Sequence, residues 1–154
     1  MMQAIYFDMD GTLAGLYDVP HWLDKLQRED TTPYEDASPL TDMQALNDLL
    51  TCFVSLGVII GVISWSAMNG SKEYNRRTRK AKQAWIKKYL PCVSEFHVVK
   101  YGTPKHKVCK LHESVLVDDN ADVRAKWDGL TIDASNTQNM LDNLQSLLVS
   151  IQAI

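Results

Sequence analysis

The stretch IYFDMDGTLAGLY, residues 5 to 17, carries an apolar run into Asp8, passes one residue, adds Asp10 and turns at Gly11. Near the tip of a strand, residues two apart point the same way, so these two carboxylates face one small volume. Their repulsion pushes one of them to take up a proton unless a cation lies between them. A second acidic pair, Asp118 and Asp119, closes a later apolar run, SVLVD. Four carboxylates without histidine or thiolate supply hard oxygen ligands, a set that suits Mg²⁺ far better than zinc.

The same charges point to a reaction. A carboxylate about 4 Å from a phosphate dianion meets a repulsion of about 8 kcal/mol at an effective dielectric of about 20. One divalent cation and one lysine reverse that sign. Asp8 is then expected to attack phosphorus, giving an aspartyl-phosphate that divides hydrolysis into two easier steps. Asp10, offset by one pleat, is expected to protonate the leaving oxygen and later to deprotonate the attacking water. Ser64, at the end of GVIIGVIS, offers a hydroxyl to a phosphoryl oxygen, and Lys105 or Lys107 compensates its charge.

Such residues need elements to bring them together. Residues 3 to 7, 57 to 64, 95 to 99, 114 to 118 and 130 to 133 are short β-branched or aromatic runs of strand length. Helical patterns separate them. Thr41 to Gln44 and Ser135 to Gln138 have the spacing of capping boxes, and residues 71 to 90 place Tyr74, Thr78, Ala81, Trp85 and Tyr89 on one face. This alternation predicts an α/β fold, Rossmann-like and three-layered, with a mainly parallel five-stranded sheet. In such a sheet the polar strand tips converge on one ligand site. Residues 14 to 40 break the rhythm with Pro20, Pro33 and Pro39 and one short helix around His21 to Arg28, and are expected to form a minimal lid after strand one.

The motifs resemble those of the haloacid-dehalogenase-like phosphohydrolases. DMDGT at 8 to 12 is similar to their first motif, the run ending in Ser64 to the second, GTPKHK to the lysine motif and VLVDDNAD to the acidic fourth motif. They occur in the family's order from residue 8 to 122. The resemblance implies that Asp8 is nucleophile and Mg²⁺ ligand, and that Asp10 is acid and base with its backbone carbonyl on the metal. It also implies that Asp119 is the fourth-motif ligand, supported by Asp118. Gly11 and Thr12 belong to the first motif and are expected at the substrate, with Ser64 and a lysine holding phosphate. Residues 64 to 127 also resemble the deoxyribonucleotidase branch, in SWS (Ser64, Trp65, Ser66), AWIKKYLP, LVDDN and Trp127. That likeness implies a nucleotide or the phosphorylated end of a nucleic acid as substrate, with a lid in place of a full helical cap.

Blander readings stand beside these. The cations of residues 72 to 88, namely Lys72, Arg76, Arg77, Arg79, Lys80, Lys82, Lys87 and Lys88, are read as a solvated helix face. Trp65, and Tyr17, Trp22 and Tyr34 in the lid, fit base stacking or plain packing equally. His21, His97, His106 and His112 show no ligand spacing, and Cys92 and Cys109 are read as packing residues. With 154 residues, 45% hydrophobic and 23% charged, the chain has the size and composition of one soluble domain. A net charge of -3 argues against a dedicated nucleic-acid binder. Three cysteines without a CxxC pair, no basic leader and no long apolar stretch point to the cytoplasm. Rival classes are a non-catalytic phosphate-binding or regulatory domain on the same fold and a phospho-accepting receiver, whose acceptor aspartate follows a later strand than the one ending at Asp8.

Overall fold

The computed structural model describes residues 1–109 and 113–154, so His112 lies outside the described residues. Five strands form one sheet: β1 (Ala4–Phe7), β2 (Ile59–Trp65), β3 (Glu95–Val99), β4 (Ser114–Asp118) and β5 (Thr131–Asp133). Every pairing is parallel, in the order β3-β2-β1-β4-β5, giving a Rossmann-like α/β fold. The chain builds outward from β1 in one direction with β2 and β3, then returns to add β4 and β5 on the other side. The order reverses between β1 and β4, and the crevice at that reversal is where such sheets bind ligands. The last β1–β4 pair is Phe7 with Val117, so Asp8 and Asp118 leave the sheet side by side.

Alternation along β1 sorts the core. Ile5, Phe7 and Met9 join the thick layer under α3 (Met43–Ser55), the end of α4 (Lys72–Tyr89) and α6 (Thr137–Gln152), with Leu46, Leu50, Phe53, Met140 and Leu144 all fully buried. Ala4 and Tyr6 face the thinner layer, built from Trp127, Ile63, Leu116 and Val123 of the short helix α5 (Ala121–Ala125). Cys92 and Cys109 are half-buried against these two clusters. Among the described residues no helix is long and apolar enough to cross a membrane.

Several boundaries differ from expectation for local reasons. Strand β2 starts at Ile59 because Gly57, at φ 85°, ends α3: Gly57 N–H donates to Val54 O and Val58 N–H to Phe53 O, which closes the helix with a left-handed residue. The caps of α3 and α6 are Asp42 and Asn136, one residue beyond Thr41 and Ser135, and they accept from Ala45 N–H and Asn139 N–H. The glutamines expected to reach back instead pair along their helices, Gln44 with Asp48 and Gln138 with Asp142, each at 2.9 Å.

Residues 14–40 carry a 3-10 turn (Leu16–Asp18) and two helices, α1 (Trp22–Gln27) and α2 (Thr32–Asp36). The second was not expected, because Pro33 reads as a breaker; in its first turn a proline is tolerated. The neck is pinched by Gly15 N–H to Ser38 O and Leu40 N–H to Leu13 O. The lid then docks on α4. Leu16 and Tyr34 pack on Tyr74 and Ala81, Tyr74 Oη donates to Asp30 O, and Trp85 Nε1 donates to Ala37 O. Glu29 accepts from both N–H and Oγ of Ser71, the N-cap of α4.

Candidate active site

The floor of the site is assembled from the tips of β1 and β4. Lys105 is 4% exposed and sets its Nζ 2.6 Å from Asp8 Oδ1 and 2.8 Å from Asp118 Oδ2. It lies in a 3-10 turn, Lys105–Lys107, that follows Pro104. Lys107, on the same turn, is exposed and does not line the cavity, so the expected place for it at the substrate is not met. Burial works against the charged form of Lys105, but Asp8 and Asp118 outweigh it and hold the ammonium above the ordinary lysine range.

Asp8, Asp118 and Asp119 each bring an oxygen into a group whose members lie within 4.8 Å of one another. Burial first, and then the charge of Asp8, raise the carboxyl of Asp118; Lys105 opposes them. Asp119 is pushed up to about 7 by burial and then by its contact with Asp8. Gly11 makes this approach possible. Its φ is 84°, and a Cβ there would stand 2.6 Å from Asp119 Oδ2 and 3.0 Å from the Tyr17 ring. Thr12 is fully buried, with Oγ1 3.2 Å from both Asp8 Oδ2 and Asp119 Oδ1, and it accepts from the Asp119 N–H. Neither Gly11 nor Thr12 lines the cavity; both brace the acids that do. Gly11→Ala is expected to destabilise the protein by about 1–3 kcal/mol through the left-handed backbone alone, and to weaken Mg²⁺ binding by displacing Asp119. Thermal unfolding and Mg²⁺ titration of this variant check both.

Asp10 stands outside the four-carboxylate cluster read from the residues, whereas the resemblance put only its backbone carbonyl on the metal. Its carboxylate lines the cavity but is not part of the group formed by the other three, and it pairs with Lys82 Nζ at 2.8 Å. Lys82 is not on a solvated face: it has no exposed surface, and its ammonium also donates to Ser64 Oγ at 2.8 Å and Trp65 O at 2.7 Å. Three donors meet three acceptors, and the Tyr34 ring covers the group at 4.7 Å. Burial raises the carboxyl of Asp10, while Lys82 pulls it down. The other α4 cations largely conform to expectation, with Arg76 bound to Glu73 at the surface. Lys82 had a signal in the sequence. It lies four residues after Thr78 and four before Ile86, inside the buried stripe.

Ser64 is the second departure. Its hydroxyl is buried against Lys82 and does not line the cavity, whereas Trp65 and Ser66 do. The cavity measures about 620 Å³ and runs from the acids and Lys105 out under the lid, past Tyr17, Trp22 and Tyr34. Trp65 is fixed by Nε1 donating to Thr103 O and stands beside the Lys105 ammonium at 5.3 Å. Burial, then Asp10, Asp8 and Asp119, drive the Tyr17 phenol well above its ordinary range, so its hydroxyl stays protonated near the acids.

No protein-family model and no curated protein matches this sequence. A solved structure does match: the D,D-heptose 1,7-bisphosphate phosphatase from Burkholderia thailandensis, at a TM-score of 0.56, covering 99% of each chain. The chain has the fold of that phosphatase. Sequence identity is 10%, so the likeness covers the path of the chain and leaves the chemistry to be argued from the side chains.

Proposed function

We propose that this protein is a Mg²⁺-dependent phosphomonoester hydrolase of the haloacid-dehalogenase-like type, acting through an aspartyl-phosphate on Asp8, on a nucleotide-type phosphomonoester. The observation that carries the reading is the meeting of Asp8, Lys105, Asp118 and Asp119 at the point where the strand order reverses. The similar fold of a phosphatase adds to it.

The residues fit a divalent cation. Among the described residues, the side chains of Asp8, Asp10, Asp118 and Asp119 pair with two cations, Lys82 and Lys105, which leaves a formal -2 when all are ionised. A hard dication balances that charge, with Asp8, Asp118 and Asp119 offering oxygens. When bound, Mg²⁺ would supply positive charge that offsets the repulsion of these carboxylates for a phosphate. Asp8 forms the new P–O bond as the bond to the leaving oxygen breaks, and Lys105 holds the Asp8 carboxylate in place while offsetting its charge. Asp10 gives its proton to the leaving oxygen. It then takes one from the water that attacks phosphorus, and the carboxylate of Asp8 is released together with inorganic phosphate.

Phosphate release is the direct test: nucleoside monophosphates, sugar phosphates and aryl phosphates, each with Mg²⁺ or with a chelator. Mg²⁺-dependent catalytic release supports the proposal. Stoichiometric labelling without turnover indicates a receiver, and neither result indicates a binding domain.

Stability carries a pH signature. Asp10, Asp118 and Asp119 hold protons more tightly folded than unfolded. A raised carboxyl contributes stability that is fully present below its unfolded value, about 4, and is lost as pH rises through its folded value. For Asp119 that folded value is about 7. The metal-free protein is therefore expected to melt at lower temperature at about pH 8 than at about pH 5 on account of these groups, with added Mg²⁺ raising the melting temperature more at the higher pH. Melts with chelator and with Mg²⁺ across that window check it; an Mg²⁺ increment that does not grow with pH contradicts it.

A further inference from the structure

The cavity has two unlike ends. At its floor stand the carboxylates and Lys105, and among the described residues that line it Lys105 is the one cation. Lys82 stands behind Asp10, fully buried, and does not reach the wall. Farther out, two edge-to-face aromatic pairs line it: Tyr17 with Trp22 from the lid, at 5.0 Å, and Trp65 with Tyr101 from the ends of β2 and β3, at 5.3 Å. Tyr17, Leu23, Met68 and Tyr101, all in this wall, are between 47% and 62% exposed. Apolar groups gathered at a rim in this way mark a surface that a ligand covers.

We infer that the site takes an ester bearing one phosphate on an uncharged alcohol that carries a flat ring system, with Tyr17, Trp22 and Tyr101 setting the preference and the single lining cation excluding a second phosphate. The inference rests on the phosphatase reading above and specifies its substrate. Mg²⁺ and Lys105 are committed to the phosphate at the floor. A second phosphate farther out lies among aromatic rings, where the described lining residues offer it no cation. An alcohol with a flat ring system instead covers the exposed rings and gains by removing them from water. The phosphatase of similar fold is named for a sugar bisphosphate, a charge class that this inference excludes here. The same logic favours a mononucleotide over a nucleic-acid end, whose internucleotide phosphates follow directly on the terminal one.

The test compares 1-naphthyl phosphate, glycerol phosphate, fructose 1,6-bisphosphate and a short 3′-phosphorylated oligodeoxynucleotide. Two readouts are used: kcat/KM of the wild type with Mg²⁺, and calorimetric binding to the Asp8→Asn protein. The naphthyl ester is expected to exceed the others by about 100-fold, and Trp22→Ala or Tyr101→Ala to cut that preference by about 10-fold, chiefly through KM. Equal values, or preference for the bisphosphate or the oligonucleotide, overturn the inference. If no ester is hydrolysed by the wild type, the phosphatase reading fails by itself. The binding order on Asp8→Asn then still decides this one: naphthyl phosphate held most tightly upholds it, and any other order sinks it.

Discussion

Asp8→Asn is expected to reduce phosphate release by about 10⁴-fold or more, which corresponds to roughly 5 kcal/mol of transition-state stabilisation. The carboxamide has the shape of the carboxylate but is a far poorer nucleophile toward phosphorus. The fold should survive the change, because Asn Oδ1 still accepts from Lys105 and the amide N–H in place of the second oxygen donates to Thr12 Oγ1. Stability without metal should even rise. Asp8 is a cause of the raised carboxyls of both Asp118 and Asp119, so its removal relieves a repulsion. Circular dichroism, a melting curve with chelator and a phosphate assay on one preparation separate these effects. A folded Asp8→Asn protein that keeps its turnover speaks against Asp8 as the phosphoryl acceptor.

Lys82→Met is expected to damage stability and activity together. Met preserves much of the aliphatic volume but leaves Asp10, which is 15% exposed, without its ammonium. Breaking a buried pair on one side costs about 3–5 kcal/mol, which in a chain of this size lowers the melting temperature by about 10 °C or more. Ser64 Oγ and Trp65 O lose a donor in the same change, and the Tyr34 ring loses the cation beneath the lid. Turnover is expected to fall by at least about 100-fold as Asp10 loses its fixed position. The double variant Lys82→Met with Asp10→Asn removes both charges. It should recover stability but not activity. If Lys82→Met melts like the wild type, the ion pair described here does not hold the site together.

The sequence was most informative where an apolar strand stops abruptly at acids. β1 and β4 end as expected, and their acidic tips meet because parallel neighbours in register place Asp8 beside Asp118. Lys105 over Lys107 follows from the turn after Pro104, which aims one lysine inward and the other at solvent. Lys82 was obscured by its neighbours. Counted with seven other cations it looks like surface, and only its place in the helical repeat reveals that a charge lies in the buried stripe. Its burial then explains the displacement of Ser64, whose hydroxyl is engaged by that charge, and of the Asp10 carboxylate. The caps slipped by one residue because Asp42 and Asn136, themselves strong cap formers, take the N–H groups of Ala45 and Asn139, one residue beyond those that Thr41 and Ser135 would have taken. The cavity wall was the least legible part. Trp22 and Tyr101 face each other's neighbourhood only through the docking of the lid, a long-range contact that no local spacing encodes.

The central claim is that a phosphoryl group passes to Asp8. It is tested most directly by mixing the Asp10→Asn protein with Mg²⁺ and an aryl phosphate, quenching in acid, reducing with borohydride and locating the modified residue by peptide mass. Conversion of Asp8 to homoserine, absent when substrate is omitted, is the predicted result. Release of the aryl alcohol by that protein with Asp8 unmodified, or with the label on Asp118 or Asp119, contradicts the account.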